Sequence, residues 1–357
     1  MKLRYVFISL TMAAYNISGL TMHILHDQPA EFYSTFRLKT RLATVIEVDN
    51  VTELARLDIT SSPLVLGEGS NTIFLEPLSR PIIRFTGTAI TESWLHADKC
   101  LLHVEAGYNW HQLVSDTVDR QLWGIENLAL IPGSVGAAPV QNIGAYGIEF
   151  ADVCVYVDFF SWRTRSIQRL TPEQCQFGYR DSIFKQQLSG DGIIVAVGIM
   201  LSTTAKPVLS YQGLDRLAAT CSINDIFDQV IATRKSKLPD YREIANCGSF
   251  FKNPVISVAE YHQLKLTYPA MPGFILADNT VKVPAAWLID QQGLKGYRLH
   301  DVGCYLRQPL VLINYGNGTS EDLLALITLI QDKVRTAYRI HLEPEVRLLD
   351  SNGHQYV

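Results

Sequence analysis

The spacing of apolar positions along the chain predicts a succession of strands and helices. Short runs of consecutive or alternating apolar residues, bounded by glycine, proline and polar residues, are typical of strands. The runs at 153–160 and 166–170 are close enough together to form a hairpin. The full set of such runs predicts strands at 43–48, 64–66, 73–76, 81–85, 100–107, 153–160, 166–170, 193–201 and 310–314, and a last strand within 340–350 that Pro344 interrupts.

Apolar residues three and four positions apart predict helices. The pattern is most regular after Thr319, where Leu323, Ile327, Ile330 and Val334 share one face and acidic residues occupy the first turn. Weaker versions of the same pattern predict helices at 51–57, 109–122 and 223–238, and one that begins at 284 and ends at Gly293.

A glycine-rich turn follows the predicted strand at 64–66. It carries Gly67, Gly69, Ser70 and Asn71, but it lacks the third glycine and the following helix of a dinucleotide-binding fingerprint. A β-hairpin with a glycine-rich tip would have this sequence. So would a loop whose amides and Ser70 hydroxyl contact a phosphate, and the sequence leaves both interpretations open.

The most unusual stretch runs from Asn127 to Gly147 and contains four glycines, two prolines and no charged side chain. Glycine lets the backbone approach a ligand closely, and a row of backbone N–H groups can hold a phosphate without a lysine. The amides of Gln141 and Asn142 lie among apolar neighbours and need partners, which the polar edge of a flat heterocycle would supply. A pair of tight turns inside a core is the alternative.

Composition narrows the class of protein. The chain has 357 residues, of which 47% are apolar and 18% charged, and a formal net charge of −4. These values predict two or three well-cored domains and argue against a nucleic-acid partner. Six cysteines without a C-x-x-C pair indicate reduced thiols. Nine histidines without ligand spacing predict no metal site.

The first twenty residues resemble a weak signal peptide, with two cations followed by an apolar run. Polar residues interrupt that run, no clear cleavage site follows, and the run is too short and polar to cross a membrane. We interpret the segment as an extension without function, with Met22 as an alternative start.

The segment GYRDSIFK, at 178–185, holds a candidate functional cation. Asp181 and Lys185 are four residues apart, which is the spacing of a surface helix pair. That spacing does not account for Arg180 beside Tyr179. Considered alone, Arg180 is either a surface residue or a functional one.

Three more parts of the chain each allow an ordinary and a functional interpretation. Arg234, Lys235 and Lys237 suit the C-terminal dipole of their helix, or form an anion pocket. Ser249 is a turn serine, or a hydroxyl partly shielded by the following phenylalanines that relays a proton. Glu345 is a solvated charge at a strand end, or a functional carboxylate.

The motifs are specific when they are taken together and in order. VLGEGSN, IPGSVGAAPVQNIGAYG, GYRDSIFK, KLPD, GSFFKNP and LEPEVR together resemble the UDP-N-acetylenolpyruvoylglucosamine reductases, a family of flavoenzymes of peptidoglycan precursor synthesis. The resemblance covers residues 36–349, and the segment around Tyr211 is similar to the longer, type I branch. The first thirty residues or so have no counterpart in it.

The resemblance implies an α+β fold with a two-part FAD-binding module of the vanillyl-alcohol-oxidase (PCMH) type and a C-terminal α/β substrate-binding domain. After an extension at 1–30, the two FAD-binding subdomains are expected at 31–87 and 88–238. The substrate-binding domain is expected at 239–347, and the segment 348–357 is expected to return to the first subdomain.

The resemblance also implies roles for single residues. Arg180, Ser249 and Glu345 match the catalytic positions. FAD, with its pyrophosphate on backbone amides, is expected to contact Gly67, Gly69, Ser70, Asn71, Ile131, Pro132, Gly133, Ser134, Gly136, Asn142, Gly144, Ala145, Tyr146 and Gly147. The substrate cleft is expected to be lined by Tyr179, Tyr211, Arg234, Lys237, Asn253, Lys295 and Gln308. Within that set, Arg234 and Lys237 would face the UDP phosphates.

The implied reaction is the NADPH-dependent reduction of UDP-N-acetylglucosamine enolpyruvate to UDP-N-acetylmuramate. Non-covalently bound FAD would carry a hydride from NADPH to the terminal vinyl carbon, with both substrates using one cleft in turn. Arg180 and Glu345 would stabilise the charge that develops at the substrate carboxylate, and Ser249 would protonate the adjacent carbon. The resemblance further implies a cytoplasmic monomer without a membrane or nucleic-acid partner.

Two other classes share parts of this pattern. A flavin oxidase or dehydrogenase on the same module usually carries a histidine or cysteine for covalent flavin attachment near the glycine-rich segments. His111 is the histidine close by, and it falls in a predicted helix. A non-catalytic nucleotide-binding module would keep the glycine-rich loops without needing Arg180, Ser249 and Glu345 together.

Overall fold

The residues that a computed structural model describes are 22–58, 63–211, 213–276 and 278–355. The apolar run at 1–20 lies outside them, whereas residues 23–29, which the sequence analysis assigned to the extension, form a strand. In chain order the described strands are β1 (His23–Pro29), β2 (Arg41–Val48), β3 (Leu64–Val65), β4 (Thr72–Phe74), β5 (Ile82–Phe85), β6 (Ile90–His96), β7 (Lys99–Glu105), β8 (Gly144–Ala145), β9 (Ile148–Glu149), β10 (Cys154–Ser161), β11 (Ser166–Leu170), β12 (Gly192–Ser202), β13 (Ala245–Ser249), β14 (Val255–Ser257), β15 (Phe274–Ile275), β16 (Thr280–Lys282), β17 (Arg298–Leu299), β18 (Val302–Cys304), β19 (Val311–Asn314) and β20 (Arg347–Leu349).

The helices begin where the sequence supplies a cap. The side chains of Asn50, Asn109, Ser222 and Thr319 each accept a hydrogen bond from the backbone N–H three residues later, which satisfies a free donor of the first turn. The described α-helices are α1 (Val51–Arg56), α2 (Trp110–Asp119), α3 (Pro172–Cys175), α4 (Ile223–Lys237), α5 (Val258–Thr267), α6 (Ala285–Gln291) and α7 (Ser320–Tyr338).

The first sheet has the order β1-β2-β5-β3, with β1 antiparallel to β2 and the other neighbours parallel. The hairpin considered for the turn at Gly67–Asn71 is wrong. The strand before that turn, β3, pairs with β5, and the strand after it, β4, pairs in parallel with β20 near the end of the chain. The turn therefore joins two different sheets, and its backbone amides are not used up in a hairpin ladder.

The second sheet is antiparallel, with the order β11-β10-β12-β7-β6. The predicted hairpin of β10 and β11 is confirmed. The longest strand, β12, is buried almost throughout, so it reads as a continuous apolar run. Trp110 and Val114 of α2 and Ile226 and Val230 of α4 belong to the same large core as this sheet.

The C-terminal part contains a four-stranded sheet, β13-β19-β18-β17, and a small three-stranded sheet, β14-β16-β15. Its core includes the apolar face predicted for α7, with Leu323, Ile327, Ile330 and Val334 all buried. Ile73 of β4 and Leu348 of β20 belong to this core too. The chain therefore returns to its N-terminal part at β20, and the domain boundaries proposed above stay predictions.

Two further findings concern membrane-spanning helices and metal-binding groups. In the part of the chain that the structure describes, every helix is too short or too polar to cross a lipid bilayer. No group of three or more histidine, cysteine or acidic side chains in the same part of the chain is placed to hold a metal ion.

Candidate active site

A cavity of about 570 Å³ lies between the two glycine-rich segments and the end of the chain. Its wall comes from the turn after β3, from the stretch before β8, and from the segment around β20. The predicted cofactor residues that line it are Gly67, Gly69, Ser70, Asn71, Pro132, Ser134 and Gly136. The predicted residues that do not line it are Ile131, Gly133, Asn142, Gly144, Ala145, Tyr146 and Gly147.

Glycine is required in the cavity wall because backbones approach each other closely there. A Cβ atom at Gly69, where φ is +71°, would lie 1.9 Å from the carbonyl oxygen of Tyr33. A Cβ atom at Gly136 would lie 2.5 Å from that of Ala106. Both distances are far below van der Waals contact, so no other residue fits without movement of the backbone. The wall thus exposes bare backbone, which suits a phosphate-bearing ligand.

Side-chain amides of Asn71 and Asn142 hold the glycine-rich segments in place through hydrogen bonds. Asn71 donates to Gln141 at 3.0 Å and to the carbonyl of Glu345 at 3.2 Å, which joins the two glycine-rich segments to the last strand. Asn142 donates to Glu149 and accepts from the N–H of Ala151. Protein groups therefore already contact the Gln141 oxygen and the Asn142 amide, and the contacts expected between these two side chains and a ligand stay predictions.

Arg180 lies at the third position of a four-residue turn, not in a helix. The backbone N–H of Gly178 donates to the carbonyl of Asp181 at 3.0 Å, and Arg180 has φ +56°, in the left-handed region. The helix pair predicted for Asp181 and Lys185 is therefore wrong. Asp181 instead accepts from Gln186, and the Lys185 ammonium donates to the Arg180 carbonyl at 2.9 Å.

Arg180 and Glu345 form an ion pair. Nε of Arg180 lies 3.1 Å from Oε1 of Glu345, and Nη2 donates to the carbonyl of Gly144 at 3.0 Å. Only 21% and 13% of the two side chains are exposed, so water screens the pair less than a surface pair. Burial raises the pKa of Glu345, against the opposing effect of Arg180 and of nearby lysines.

Ser249 ends β13 close to this pair. The residue after it, Phe250, accepts a hydrogen bond at 2.8 Å from the backbone N–H of Glu345. The expectation that the phenylalanines shield Ser249 from water is wrong. Phe250 and Phe251 point into the core and are 1% exposed, whereas Ser249 is exposed because Gly248, at φ +69°, turns the backbone just before it.

Four of the seven predicted substrate residues lie beside the ion pair or the glycine-rich stretch. Tyr179 has the Arg180 guanidinium at 5.3 Å from its ring centroid and a hydrogen bond with Asn253. Tyr211 packs edge-on against Tyr146 at 5.2 Å. Arg234 has an Nε atom without a partner among the described residues, and burial lowers its pKa, with Arg180 adding to the shift.

The other three predicted substrate residues show no contact with that group. Lys237 is exposed in the last turn of α4. Lys295 lies 3.5 Å from Asp290, and the backbone N–H of Gln308 bonds to Tyr305. Long exposed side chains such as Lys237 and Lys295 can swing toward a ligand, so these three roles stay predictions.

Sequence reasoning missed three side chains that the fold brings to the site. Lys185 and Arg347 line the cavity together with Glu345. Burial lowers the pKa of Arg347, and the positive charge of the nearby Arg80 guanidinium lowers it further. His111 accepts a hydrogen bond at 3.1 Å from the N–H of Leu130, at the start of the second glycine-rich segment. Arg347 could have been noticed because it lies two residues after Glu345, within the strand predicted at 340–350.

Known proteins are similar to this chain over nearly its whole length. Residues 40–169 match a model for an FAD-binding domain, and residues 239–349 match the model of the UDP-N-acetylenolpyruvoylglucosamine reductase C-terminal domain. The reductase of Pasteurella multocida is 46% identical over 90% of this chain and 96% of its own length. The chain belongs to the UDP-N-acetylenolpyruvoylglucosamine reductase family.

Other members of the UDP-N-acetylenolpyruvoylglucosamine reductase family are similar to this chain in sequence or in fold. The reductase of Pseudoalteromonas translucida is 43% identical over 90% of this chain and 96% of its own. The crystal structure of the Thermus caldophilus reductase superimposes with a TM-score of 0.65 at 24% identity, covering 92% of this chain and 99% of the other. The predicted family and fold class are confirmed, and the type I assignment stays a prediction.

Proposed function

We propose that this protein reduces UDP-N-acetylglucosamine enolpyruvate to UDP-N-acetylmuramate with NADPH, through bound FAD, in peptidoglycan precursor synthesis. The observation that carries the proposal is the part-buried Arg180–Glu345 ion pair. Glu345 lines the glycine-rich cavity, and its backbone bonds to Phe250, the residue after Ser249. Membership of the reductase family supports the same activity.

The cavity fits FAD by its chemistry. Bare backbone at Gly67, Gly69 and Gly136 allows a diphosphate to approach, and the Ser70 hydroxyl lies in the same wall. Arg347 supplies a cation for which no described carboxylate lies within ion-pair distance. When bound, FAD would accept a hydride from NADPH and pass it to the enolpyruvyl group.

Arg180 and Glu345 prepare the site for negative charge. The guanidinium is permanently cationic and its fork matches a carboxylate. It is fixed at Glu345 and at the Gly144 carbonyl before any substrate arrives, so it need not reorganise when charge develops at the substrate carboxylate. The raised pKa of Glu345 favours its protonated form, which can donate a hydrogen bond to the same charge.

Ser249 is the proposed proton donor to the carbon next to the one that receives the hydride. Its exposure leaves the hydroxyl free to meet a substrate entering from solvent. A serine hydroxyl is a weak acid, so nearby donors or cations must stabilise the alkoxide that forms. The neighbouring backbone bond from Glu345 to Phe250 holds the end of β13 beside Glu345.

The sugar nucleotide is proposed to lie over the face that carries Tyr179, Tyr211 and Arg234. The buried Nε atom of Arg234 has no partner among the described residues, so it is a donor that needs an acceptor, and a phosphate oxygen is a fitting one. Asn253, Lys237, Lys295 and Gln308 complete the proposed set. We further propose that the nicotinamide uses this cleft in turn, and that the protein is a cytoplasmic monomer.

Two half-reactions test the proposal against its rivals. The purified protein should be yellow and should bleach with NADPH under anaerobic conditions, which a non-catalytic nucleotide-binding module would not do. The bleached protein should regain its colour when UDP-N-acetylglucosamine enolpyruvate is added without oxygen. Recovery of colour with oxygen but not with the enolpyruvyl substrate would identify a flavin oxidase and overturn the proposal.

A further inference from the structure

The backbone of Arg180 adopts a conformation that is unfavourable for a residue with a side chain. Its φ of +56° lies in the left-handed region, which residues with a Cβ atom seldom adopt. The turn around it is closed by paired backbone bonds between Gly178 and Asp181, at 3.0 and 3.3 Å. This conformation directs one guanidinium both to Glu345 and to the carbonyl of Gly144.

One side chain bonds directly to the Arg180 backbone at this turn. The ammonium nitrogen of Lys185 donates to the Arg180 carbonyl oxygen at 2.9 Å. Lys185 is itself anchored, since its N–H bonds to Ser182, whose hydroxyl donates at 2.6 Å to the carbonyl of Val140 in the second glycine-rich segment. The lysine therefore links the strained residue to the cavity wall.

Partial burial of the Lys185 ammonium costs part of its hydration free energy. It is half-buried in the cavity wall near a second lysine, Lys252, and burial is the main cause that lowers its pKa. An ordinary lysine would extend into water. Three groups offset this cost: the Arg180 carbonyl, which accepts a hydrogen bond from the ammonium, and the nearby carboxylates of Asp181 and Glu345.

We propose that Lys185 is a positioning residue for the reductive step, acting through the Arg180 carbonyl to hold the Arg180 guanidinium against Glu345. The inference rests on the proposed function, because it assumes that Arg180 serves the transfer to the enolpyruvyl group. It adds a residue that neither membership of the family nor the sequence pattern assigned.

An alternative is that Lys185 acts only by its charge. Lys252 offers a matched comparison, because it also acts electrostatically on Glu345 but pairs with Glu343 at 3.1 Å and does not contact Arg180. If charge alone mattered, loss of either lysine would have a similar effect. If the backbone contact matters, the two losses differ.

The test uses FAD-loaded enzyme and stopped-flow measurement of the two half-reactions. Lys185→Met should slow anaerobic reoxidation by the enolpyruvyl substrate about 10²-fold, the size expected for a misplaced catalytic group. Flavin reduction by NADPH should change by less than about threefold, since that step does not need the substrate carboxylate bound. Lys252→Met should change neither rate by more than about threefold. Lys185→Arg, which keeps a cationic donor, should recover most of the reoxidation rate.

A double-mutant comparison shows whether Lys185 acts through Arg180. In an Arg180→Ala background, adding Lys185→Met should slow reoxidation by less than about twofold, because the group it positions is gone. A full further loss in that background, or a Lys185→Met enzyme that reoxidises at the wild-type rate, would overturn the inference. Lys185→Ala, which also lacks a donor for the Arg180 carbonyl, replaces the methionine variant if the latter loses its FAD. A wild-type enzyme that is not reoxidised by the substrate would instead refute the proposed function.

Discussion

The backbone N–H of Glu345 donates a 2.8 Å hydrogen bond to the carbonyl oxygen of Phe250. A second bond, from the N–H of Lys252 to the carbonyl of Glu343, extends the pairing in the same direction. The two proposed catalytic segments, one ending β13 and one leading into β20, are therefore tied by main chain. Substitution of the Ser249 or Glu345 side chain leaves these bonds in place, so each role can be tested separately.

Ser249→Ala should separate the two half-reactions. Hydride transfer from NADPH to the flavin needs no proton at the sugar's side chain, so anaerobic bleaching should stay near the wild-type rate. Reoxidation by the enolpyruvyl substrate should fall by the roughly 10²–10⁴-fold typical of a positioned general acid, which is about 3–5.5 kcal/mol at ~1.4 kcal/mol per decade. Stopped-flow absorbance measures both steps.

Two cysteine variants are the controls for Ser249. Ser249→Cys should recover part of the rate, since a thiol is a stronger acid than a hydroxyl. Cys247→Ala should do little, because Cys247 is buried and the pKa of its thiol is raised to about 11. Equal slowing of both half-reactions in Ser249→Ala would mean that the serine shapes the flavin pocket and is not the acid.

Lys237→Ala should weaken binding of the sugar nucleotide. We expect the KM for the enolpyruvyl substrate to rise by about tenfold or more, the effect of losing a charged contact worth ~1.4 kcal/mol, while flavin reduction at saturating NADPH changes little. Steady-state and single-turnover kinetics measure the two quantities. Lys235→Ala, two residues earlier in α4, is the matched control. Equal losses in both half-reactions would contradict a role in UDP binding.

Arg347→Met should change the stability of the protein in opposite directions with and without FAD. Without cofactor, the guanidinium lies in the cavity wall near the charge of Arg80 and apart from any described carboxylate, so its removal should raise the Tm of the apoprotein. With cofactor, the lost cation should weaken FAD binding about tenfold or more and reduce the rise in Tm that FAD gives. Thermal shift assays at several FAD concentrations measure both effects.

The exposed Arg335, paired with Asp332 on α7, supplies the control for this experiment. Arg335→Met should leave the FAD dependence of the Tm unchanged, since α7 contributes no residue to the cavity wall. An Arg347→Met protein that binds FAD as tightly as the wild type would show that the Arg347 cation does not contribute to FAD binding.

We expect the folded protein to lose stability in mild acid because of His111. Burial lowers its pKa, and the cations Arg234, Lys235 and Arg242 lower it further. The unfolded chain therefore takes up a proton near pH 6.5, while the folded protein resists it to a lower pH. The stability that the neutral ring contributes is present above about pH 6.5 and is lost as the pH falls through the lower, folded pKa, by up to ~1.4 kcal/mol for each unit of difference.

The mechanism of that loss is local. Neutral His111 accepts a hydrogen bond from the backbone N–H of Leu130, which has φ +57° near the start of the second glycine-rich segment. The protonated ring has no acceptor. His111→Gln keeps an acceptor without titrating, so its Tm should fall less than that of the wild type between about pH 7.5 and pH 5.5. Parallel Tm–pH curves for the two proteins would contradict the assignment.

Local patterns predicted the elements of this fold better than their pairing. The apolar spacing and the Thr319 cap are sufficient for α7, because both act within a few residues. The partner of β4 is β20, from the far end of the chain, and no local pattern encodes such a pairing. The same limit hid the role of Lys185, whose spacing to Asp181 fits a helix while its ammonium bonds to the backbone of a turn.

The site residues likewise include some that the sequence indicated and some whose environment only the fold determines. The family resemblance implied roles for Arg180 and Glu345, which the local pattern left open, and the fold pairs the two side chains. The exposure of Ser249 depended on the conformation of Gly248, which a sequence permits but does not prescribe. The Asn142 contacts with protein groups depended on which loops fold back on each other.

The pairing of β20 with β4 also bears on how the protein is made. Translation delivers β4 early and β20 almost last, so β4 must wait for its partner until nearly the whole chain has left the ribosome. Glu345, Arg347 and Leu349 of that late segment complete the cavity wall. A nascent chain can build its antiparallel second sheet first, but its cofactor cavity closes only at the end of synthesis. A chain truncated before β20 would therefore lack a finished FAD site, even with both glycine-rich segments present.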